Sequence, residues 1–493
     1  MTIQPTFTFA MPPKPVTFAL SRVLWIALIL ATLLSCTIFH PEPSVEKPVA
    51  LPETFSLYES GPAPLSRWWE SLGAADLNNL IERALTDNFS IRQTWARLAQ
   101  IRAAAVQAGA ARYPDLTASA GASLGRRGTA DGNSQDSATV RDYSLGVISQ
   151  YEIDLWGRIR SQKEAALISA DAGREDVSTA AMSIAAEMAV RWVDLLARRL
   201  EKKLLQEQLQ LNRTILELVE LRFRNGMVSA LDVFQQKQVI ADTEGQVPLV
   251  IKQEQLLLNQ LAVLSGQAPG ADLGIVDGAL PEIDAPPDTG LPVDVLARRP
   301  DVRAAGLRLK AAEWQVAEAR ANRLPALRLT ARGQYGDDSI EQLFDNWLLN
   351  LAANLTAPLL DGGYRRAEVQ RRQAVVQERI GVYGQTVLVA VREVEDALVA
   401  EIQQRRHLHW LKKEVAAAQR ALKEAGFRYR QGLNDYLPVL TQLLAVQRLE
   451  RDLIHQEALL LQARIDLYRA LGGNWTDQLA IHESLTPSMT TDP

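Results

Sequence analysis

The segment VSTAAMSIAAEMAVRWVDL (Val177–Leu195) decides the fold. Val177, Ala181, Ile184, Met188, Trp192 and Leu195 are spaced by four and three, the spacing that gathers side chains on one face of an α-helix. Outward from this segment the pattern continues through Leu205, Leu209, Ile215, Val219 and Phe223, and nothing interrupts it between Gly157 and Asn225. No proline occurs between Pro114 and Pro248, and Gly157 and Gly173 are the weak points of the stretch. At 1.5 Å per residue the helix would be roughly 100 Å long, far beyond the three turns of an average globular helix. A rod of that length needs a long partner. Gly363 to Arg430 supplies one, stepping through Val376, Ile380, Tyr383, Val387, Val391, Val394, Leu398 and Ile402.

Composition narrows the class. The chain has 493 residues, 47% hydrophobic and 23% charged, with a net charge of −5. Acidic and basic residues are interspersed, so no basic surface of the kind that binds nucleic acid stands out. A single cysteine, Cys36, excludes disulfides within the chain and all-thiolate metal sites. The histidines His40, His407, His409, His455 and His482 are scattered, and no glycine-rich phosphate loop ends in Lys-Ser/Thr. No catalytic set, cofactor site or metal site is expected.

Val23 to Leu34 is an apolar run preceded by Lys14 and Arg22, too short to span a bilayer and patterned as a secretory signal. It ends in Leu33-Leu34-Ser35-Cys36, which resembles the bacterial lipobox. That resemblance implies cleavage after residue 35 and diacylglycerol and acyl groups on Cys36. Thr37 stands where an aspartate would favour inner-membrane retention, so the outer membrane is implied. Residues 36–67 are rich in proline and read as a lipidated start and an extended tether.

A first repeat is expected over 68–266. Its opening helical pattern runs from Ser90 to Arg112 after a break near Asn88, and Tyr113-Pro114 closes it. The period then changes to two. Leu116, Ala118, Ala120, Ala122 and Leu124 alternate with small polar residues, and Tyr143, Leu145, Val147, Tyr151 and Ile153 alternate after a turn-rich loop. This predicts a hairpin over 115–153, with strands of about ten residues, the length that crosses a bilayer when tilted. The alternation also suits a soluble hairpin lying on the helices. The long helix is expected over 157–225 and a return helix over 230–264, kinked near Gly245 to Pro248. Residues 267–292 are a Pro/Gly/Asp linker.

The programme then recurs over 293–475 at an offset near 207 residues, leaving 476–493 as a tail. Arg112-Tyr113-Pro114 matches Arg323-Leu324-Pro325, and Asp154 matches Asp361. Phe223-Arg224-Asn225-Gly226 matches Tyr429-Arg430-Gln431-Gly432, and Leu264-Ser265-Gly266 matches Leu471-Gly472-Gly473. A second hairpin is expected over 326–358, a second long helix over 363–430 and a second return helix over 434–471. In each repeat the two shorter helices, placed end to end, span roughly 90 Å and so match the long one. Four strands cannot close a barrel, and open edges in lipid leave backbone groups unpaired at a cost of several kcal/mol each. Other copies must complete the wall. Two copies leave little interior room, whereas three give twelve strands and an open bore. Thr117, Ser119, Ser123, Asn350, Asn354 and Thr356 would face that bore.

Leu33 to Cys36, Asp154 to Arg158, Arg298-Arg299-Pro300-Asp301, Asp361-Gly362-Gly363, Arg428 to Gly432 and Leu471-Gly472-Gly473, in this order and duplicated, resemble the outer-membrane efflux channels of the TolC/OprM-like type, lipoprotein branch. The resemblance implies a mainly α chain with membrane β-structure. It implies a homotrimer whose twelve-stranded β-barrel, four strands per chain, sits in outer-membrane lipid and continues as a periplasmic α-helical barrel. Its implied partners are a periplasmic adaptor and an inner-membrane transporter of the resistance–nodulation–division type, with the chain as passive exit duct for small molecules. A type I protein secretion duct is the alternative within the family. A periplasmic adaptor is the alternative outside it, although an adaptor normally has one helical hairpin and β-rich soluble domains.

By the same resemblance the turns at 225–229 and 431–435 form the periplasmic end that is sealed and opened. Asp232 and Tyr429 occupy positions resembling a linking pair, and Asn434 replaces a basic residue expected there. Leu437 would form an apolar constriction with Asp435 nearby, and Thr441 replaces an expected acid. Asp232 and Asp435 also fit as simple helix caps. Arg224, Gly226, Arg430 and Gly432 are the implied adaptor-docking positions, while Trp68, Trp69 and Trp475 are read as a structural collar.

Overall fold

The computed structural model describes residues 39–41, 52, 67–128, 137–283, 292 and 297–479. Cys36, the signal segment and most of the tether lie outside them, as do part of the linker and residues 480–493. The described chain falls into two compact units that cut across the two repeats.

One unit is built from Val106–Ala165 and Glu313–Ala374 and holds a four-stranded sheet. Its strands are β1 (Asp115–Gly128), β2 (Ser137–Ile153), β3 (Ala326–Asp337) and β4 (Trp347–Thr356). They pair in the order β1-β2-β3-β4, antiparallel throughout. The central pairing joins the repeats, with Tyr143 opposite Asp337 and Ile153 opposite Leu327. The first hairpin is longer than ten-residue strands would make it, at 14 and 17 residues. The sheet turns into long helices through two matched caps. Asp154 accepts from the amides of Ile159 (3.1 Å) and Arg160 (2.8 Å), and Asp361 from those of Gly363 (3.0 Å) and Arg365 (3.2 Å). Each carboxylate satisfies free N–H groups at a helix start, where the helix dipole also favours negative charge.

The other unit is helical. In chain order the helices are α1 (Ala75–Asp87), α2 (Phe89–Ala110), α3 (Arg158–Arg224), α4 (Ala230–Leu264), α5 (Pro300–Ala321), α6 (Tyr364–Arg430) and α7 (Tyr436–Leu471), of which α2, α3, α5 and α6 also enter the sheet unit. The helix α4 runs through Pro248 without a break. In α3, Val177, Ala181, Met188, Trp192 and Leu195 are buried, so the periodic face is the core. In α6 the same holds for Val376, Val387, Val394 and Leu398. Phe223 departs from the pattern: it is exposed, whereas its counterpart Tyr429 is buried. The aromatic collar forms where Trp69 meets Trp475 edge to face at 4.8 Å and Trp68 stacks on Tyr468 at 5.5 Å. The motif arginine Arg299 ties three elements, donating to Asp301 (2.7 Å), Glu393 (2.7 Å) and the Ala470 carbonyl (3.3 Å). Deeper still, Arg464 pairs with Glu401 between α7 and α6, both nearly free of solvent.

Candidate functional site: a two-faced wall and a four-helix tip

Register sorts the sheet into two faces, because directly paired residues share a face and period two separates neighbours. Leu116, Ala118, Ala120, Ala122 and Leu124 of β1 share a face with Tyr143, Leu145, Val147, Tyr151 and Ile153 of β2, Ala118, Ala120 and Ala122 lying directly opposite Val147, Leu145 and Tyr143. Leu327, Leu329, Ala331, Gly333 and Tyr335 of β3 follow, and then Trp347, Leu349, Leu351, Ala353 and Leu355 of β4. This face is mainly apolar, with Ser149 at mid-sheet and Arg126, Thr139, Arg141 and Asp337 gathered toward the hairpin-turn end, and much of it is bare: Leu351 is 77% and Trp347 71% exposed. A sheet packed on its own helices would have covered one face. The opposite face carries Thr117, Ser119, Ser123, Gln150, Arg328, Thr330, Arg332, Gln334, Asn350 and Asn354. Glu152 there is held by Arg158 at 2.8 Å and Arg328 at 3.3 Å. Apolar outward and polar inward is the chemistry of a barrel wall between lipid and water. Among the described residues no helix is long and apolar enough to cross a membrane.

At the C-terminal ends of α3 and α6, two turns of the same backbone form reverse the chain. The amide of Gly226 donates to the Phe223 carbonyl (2.9 Å) and that of Met227 to the Arg222 carbonyl (2.9 Å). Gly432 and Leu433 repeat this on Tyr429 (3.0 Å) and Arg428 (2.9 Å). This is the Schellman closure, which needs a left-handed residue, and φ is 71° at Gly226 and 72° at Gly432. The glycines are therefore explained by the turns, while Arg224 and Arg430 beside them are exposed.

The linking pair is not formed within the chain. Asp232 accepts from its own Ser229 amide (3.0 Å) in a capping box, with Ser229 capping in return. That bond completes the N-terminus of α4, where a carboxylate is favoured. The Tyr429 hydroxyl is buried with no hydrogen-bond partner among the described residues. Asp435 stands at the N-cap position of α7 without a side-chain capping bond. Leu437 is 60% exposed, and Thr441, one turn on, donates to its carbonyl at 2.9 Å. The two share an open face of α7, as a constriction residue and its neighbour would.

Sequence reasoning missed what does join the tip. Arg222 of α3 donates to the Tyr429 carbonyl of α6 at 2.7 Å and lies over the Tyr429 ring, 4.4 Å from its centre. A charged hydrogen bond contributes about 1.5–3 kcal/mol and a cation–π contact about 0.5–2. Tyr429 meets Tyr436 of α7 with ring centres 5.6 Å apart, and the Tyr436 hydroxyl donates to Gln236 of α4. Gln236 in turn donates to the Asn212 carbonyl of α3 at 2.7 Å, and Gln447 of α7 to the Asn212 side chain at 2.8 Å. A circuit of contacts thus passes through all four helices and returns to its start. Burial raises the pKa of both phenols, so Tyr429 and Tyr436 stay protonated and neutral. The one sign available in sequence was Arg222 itself, which has Leu218 rather than an acid one turn before it.

A duplicated strand-hairpin and long-helix unit, with an apolar outer wall and tip turns of this form, defines an outer-membrane channel. The family model "Outer membrane efflux protein" matches residues 80–267 and 291–473, and the chain belongs to that family. It is 33% identical to the pyoverdine export outer membrane protein OpmQ of Pseudomonas aeruginosa over 422 residues, covering 84% of this chain and 89% of the relative. To the outer membrane protein OprJ of the same species it is 30% identical over 472 residues, covering 92% and 97%. Among solved structures, the outer-membrane channel OprN superposes with a TM-score of 0.79 at 27% identity, covering 89% of this chain and 99% of that one. VceC of Vibrio cholerae gives 0.77 at 28%, covering 83% and 99%. The chain is an outer-membrane efflux channel of TolC-like fold.

Proposed function

We propose that this chain forms a homotrimeric exit duct that receives small organic solutes from an inner-membrane pump through a periplasmic adaptor. The observation that carries the reading is the open four-stranded sheet with one bare apolar face. Its edges β1 and β4 are unpaired in a single chain, and lipid tolerates no such edges, so copies must pair edge to edge. Three copies give twelve strands around a wet bore lined by Thr117, Ser119, Asn350 and Asn354. Relatives are named for pyoverdine export and toluene efflux, which supports small organic cargo. The transporter is proposed to be of the resistance–nodulation–division type and to supply the energy.

Lipid on Cys36 would anchor the chain beside the barrel. His40 lies edge-on to Trp314 within the sheet unit at 6.4 Å. Arg224, Gly226, Arg430 and Gly432 are proposed as the adaptor-docking rim. Leu437 is proposed as the constriction of the gate, with Asp435 and Thr441 beside it, and Asp232 and Tyr429 as structural members of that gate.

The test is fractionation followed by mass measurement of the intact protein in detergent. Outer-membrane recovery of a species of three chains, each carrying lipid on Cys36, is the expected result, and Cys36→Ala should remain trimeric. A soluble monomer from Cys36→Ala would overturn the proposal.

A further inference from the structure

We propose that Arg126 and Arg141, on the outward face of the first strand hairpin, clasp a phosphate of the phosphorylated glycolipid in the outer leaflet of the membrane. The proposal rests on the channel reading above and gives its barrel a specific lipid partner.

The outward face changes chemistry along its length. On β2 it runs from Ile153 to Tyr143, about 34 Å of strand, which at a tilt of about 40° crosses about 25 Å of bilayer. That is the height of the apolar band of an outer-membrane barrel. Aromatic rings mark its limit. Tyr335 pairs with Trp347 across β3 and β4 and meets Phe344 edge to face at 5.4 Å, while Tyr143 stands one alternation further along on β2. Rings of this kind settle at the headgroup boundary. Directly beyond them the same face carries Arg141, opposite Leu124, and then Arg126, opposite Thr139. Both arginines are exposed. The long helices begin at the other end of the sheet, at Arg158 and Tyr364, so the hairpin turns point away from the periplasm.

Two features select a phosphate. Arg126 and Arg141 are diagonal neighbours on one face, about 7–8 Å apart, a spacing that two guanidinium groups can close around one anion. Like charges so placed repel, and an anion between them replaces the repulsion with charge-assisted bonds that suit the planar guanidinium fork. Among the described residues the acid of this face, Asp337, is tied into its own turn, accepting from the Ser339 amide at 3.1 Å and from Asn346. The outer leaflet is selected by position. At the opposite limit of the band the outward face offers Leu116, Ile153, Leu327 and Leu355 and no cation to the phospholipids there. The second hairpin differs as well, since its turn carries Asp338, Glu341 and Asp345 and no arginine. Pairing of β1 with another copy joins strand edges and leaves this face open to lipid.

The experiment is native mass measurement of the full-length lipidated protein in detergent, titrated with bisphosphorylated lipid A. The same lipid without its phosphates, and phosphatidylglycerol, serve as comparison probes. Arg141→Gln should weaken lipid A binding about fivefold and the double variant with Arg126→Gln about thirtyfold. Arg141→Lys, which keeps the charge and loses the fork, should fall between wild type and Arg141→Gln. Arg332→Gln removes an equal charge from the bore face of β3 and should bind as wild type does. The phosphate-free lipid should bind wild type and double variant alike. Wild-type affinity in the double variant, or arginine-dependent binding of phosphatidylglycerol as tight as that of lipid A, would overturn the proposal and leave the channel reading standing. A fall in trimer melting with lipid binding unchanged would assign the arginines to a contact between copies and equally overturn it. A protein recovered only as a soluble monomer would end the channel reading, and the clasp with it.

Discussion

The two tip turns share a backbone and differ in nearly every side chain around it. Their closing hydrogen bonds agree to about a tenth of an ångström and their glycine φ values to a degree. Around that common frame, Arg222 turns inward and Arg428 outward, Phe223 is exposed and its counterpart Tyr429 buried. The first turn is followed by a Ser229–Asp232 capping box, the second by Asp435 with no capping bond. Duplication conserves what the chain needs to reverse direction, because left-handed φ and free helix carbonyls impose the same demand twice. It releases what each turn shows its neighbours. A duct built from two unlike hairpins can move one against the other, which two identical hairpins in a symmetric ring have less reason to do.

The largest effect that separates the turns is expected at Gln236. Gln236→Leu leaves the buried Tyr436 hydroxyl without its acceptor and takes from the Asn212 carbonyl the bond it accepts beyond its helical one, a loss of about 1–3 kcal/mol. The equivalent Gln442→Leu should cost less than about 0.5 kcal/mol, as polar groups without such duties do. Urea unfolding of the detergent-solubilised protein compares them, and equal losses would break the asymmetry. Next come the glycines, where the turns should behave alike. A Cβ at Gly226 or Gly432 meets no neighbour within 4 Å, so the cost of alanine is conformational only, about 1–2 kcal/mol at either site. A clear difference between the two losses would contradict their common backbone. Smallest is Arg428→Ala. It removes the exposed pair with Glu424 one turn before it, worth about 0.3–0.5 kcal/mol, and the same urea measurement should show no larger loss.

Much of this was legible in the sequence because the fold is written in periods. A change from steps of three and four to steps of two marked Leu116–Leu124 and Trp347–Leu355 as strands, and the matched turns at Gly226 and Gly432 marked the ends of the long helices. The register then brought the alternating apolar sets to a single face, as a shared membrane wall requires. Gly245 to Pro248 read as a kink inside the return helix, and α4 is continuous across them, since a helix with tertiary partners tolerates one missing N–H. The tip was less legible. Asp232 and Tyr429 read as a linking pair, but a carboxylate three residues after a serine cap has a local partner first. Gln208, Asn212, Gln236 and Gln447 are polar residues on helices, and sequence alone gives no sign that they are buried against other helices. The inward turn of Arg222 depends on an acid that is absent, a signal visible only when the two repeats are set side by side.

The central claim is that the sheet is one third of a wall with lipid on one side and water on the other. The most direct test replaces successive β4 residues with cysteine in the outer-membrane protein, where Cys36 is proposed to be blocked by lipid. Cysteines at Leu349, Leu351 and Ala353 should react with a bilayer-soluble maleimide and resist a charged, water-soluble one. Those at Asn350, Ala352 and Asn354 should show the reverse. Water-soluble labelling at every position, or at none, would contradict the account.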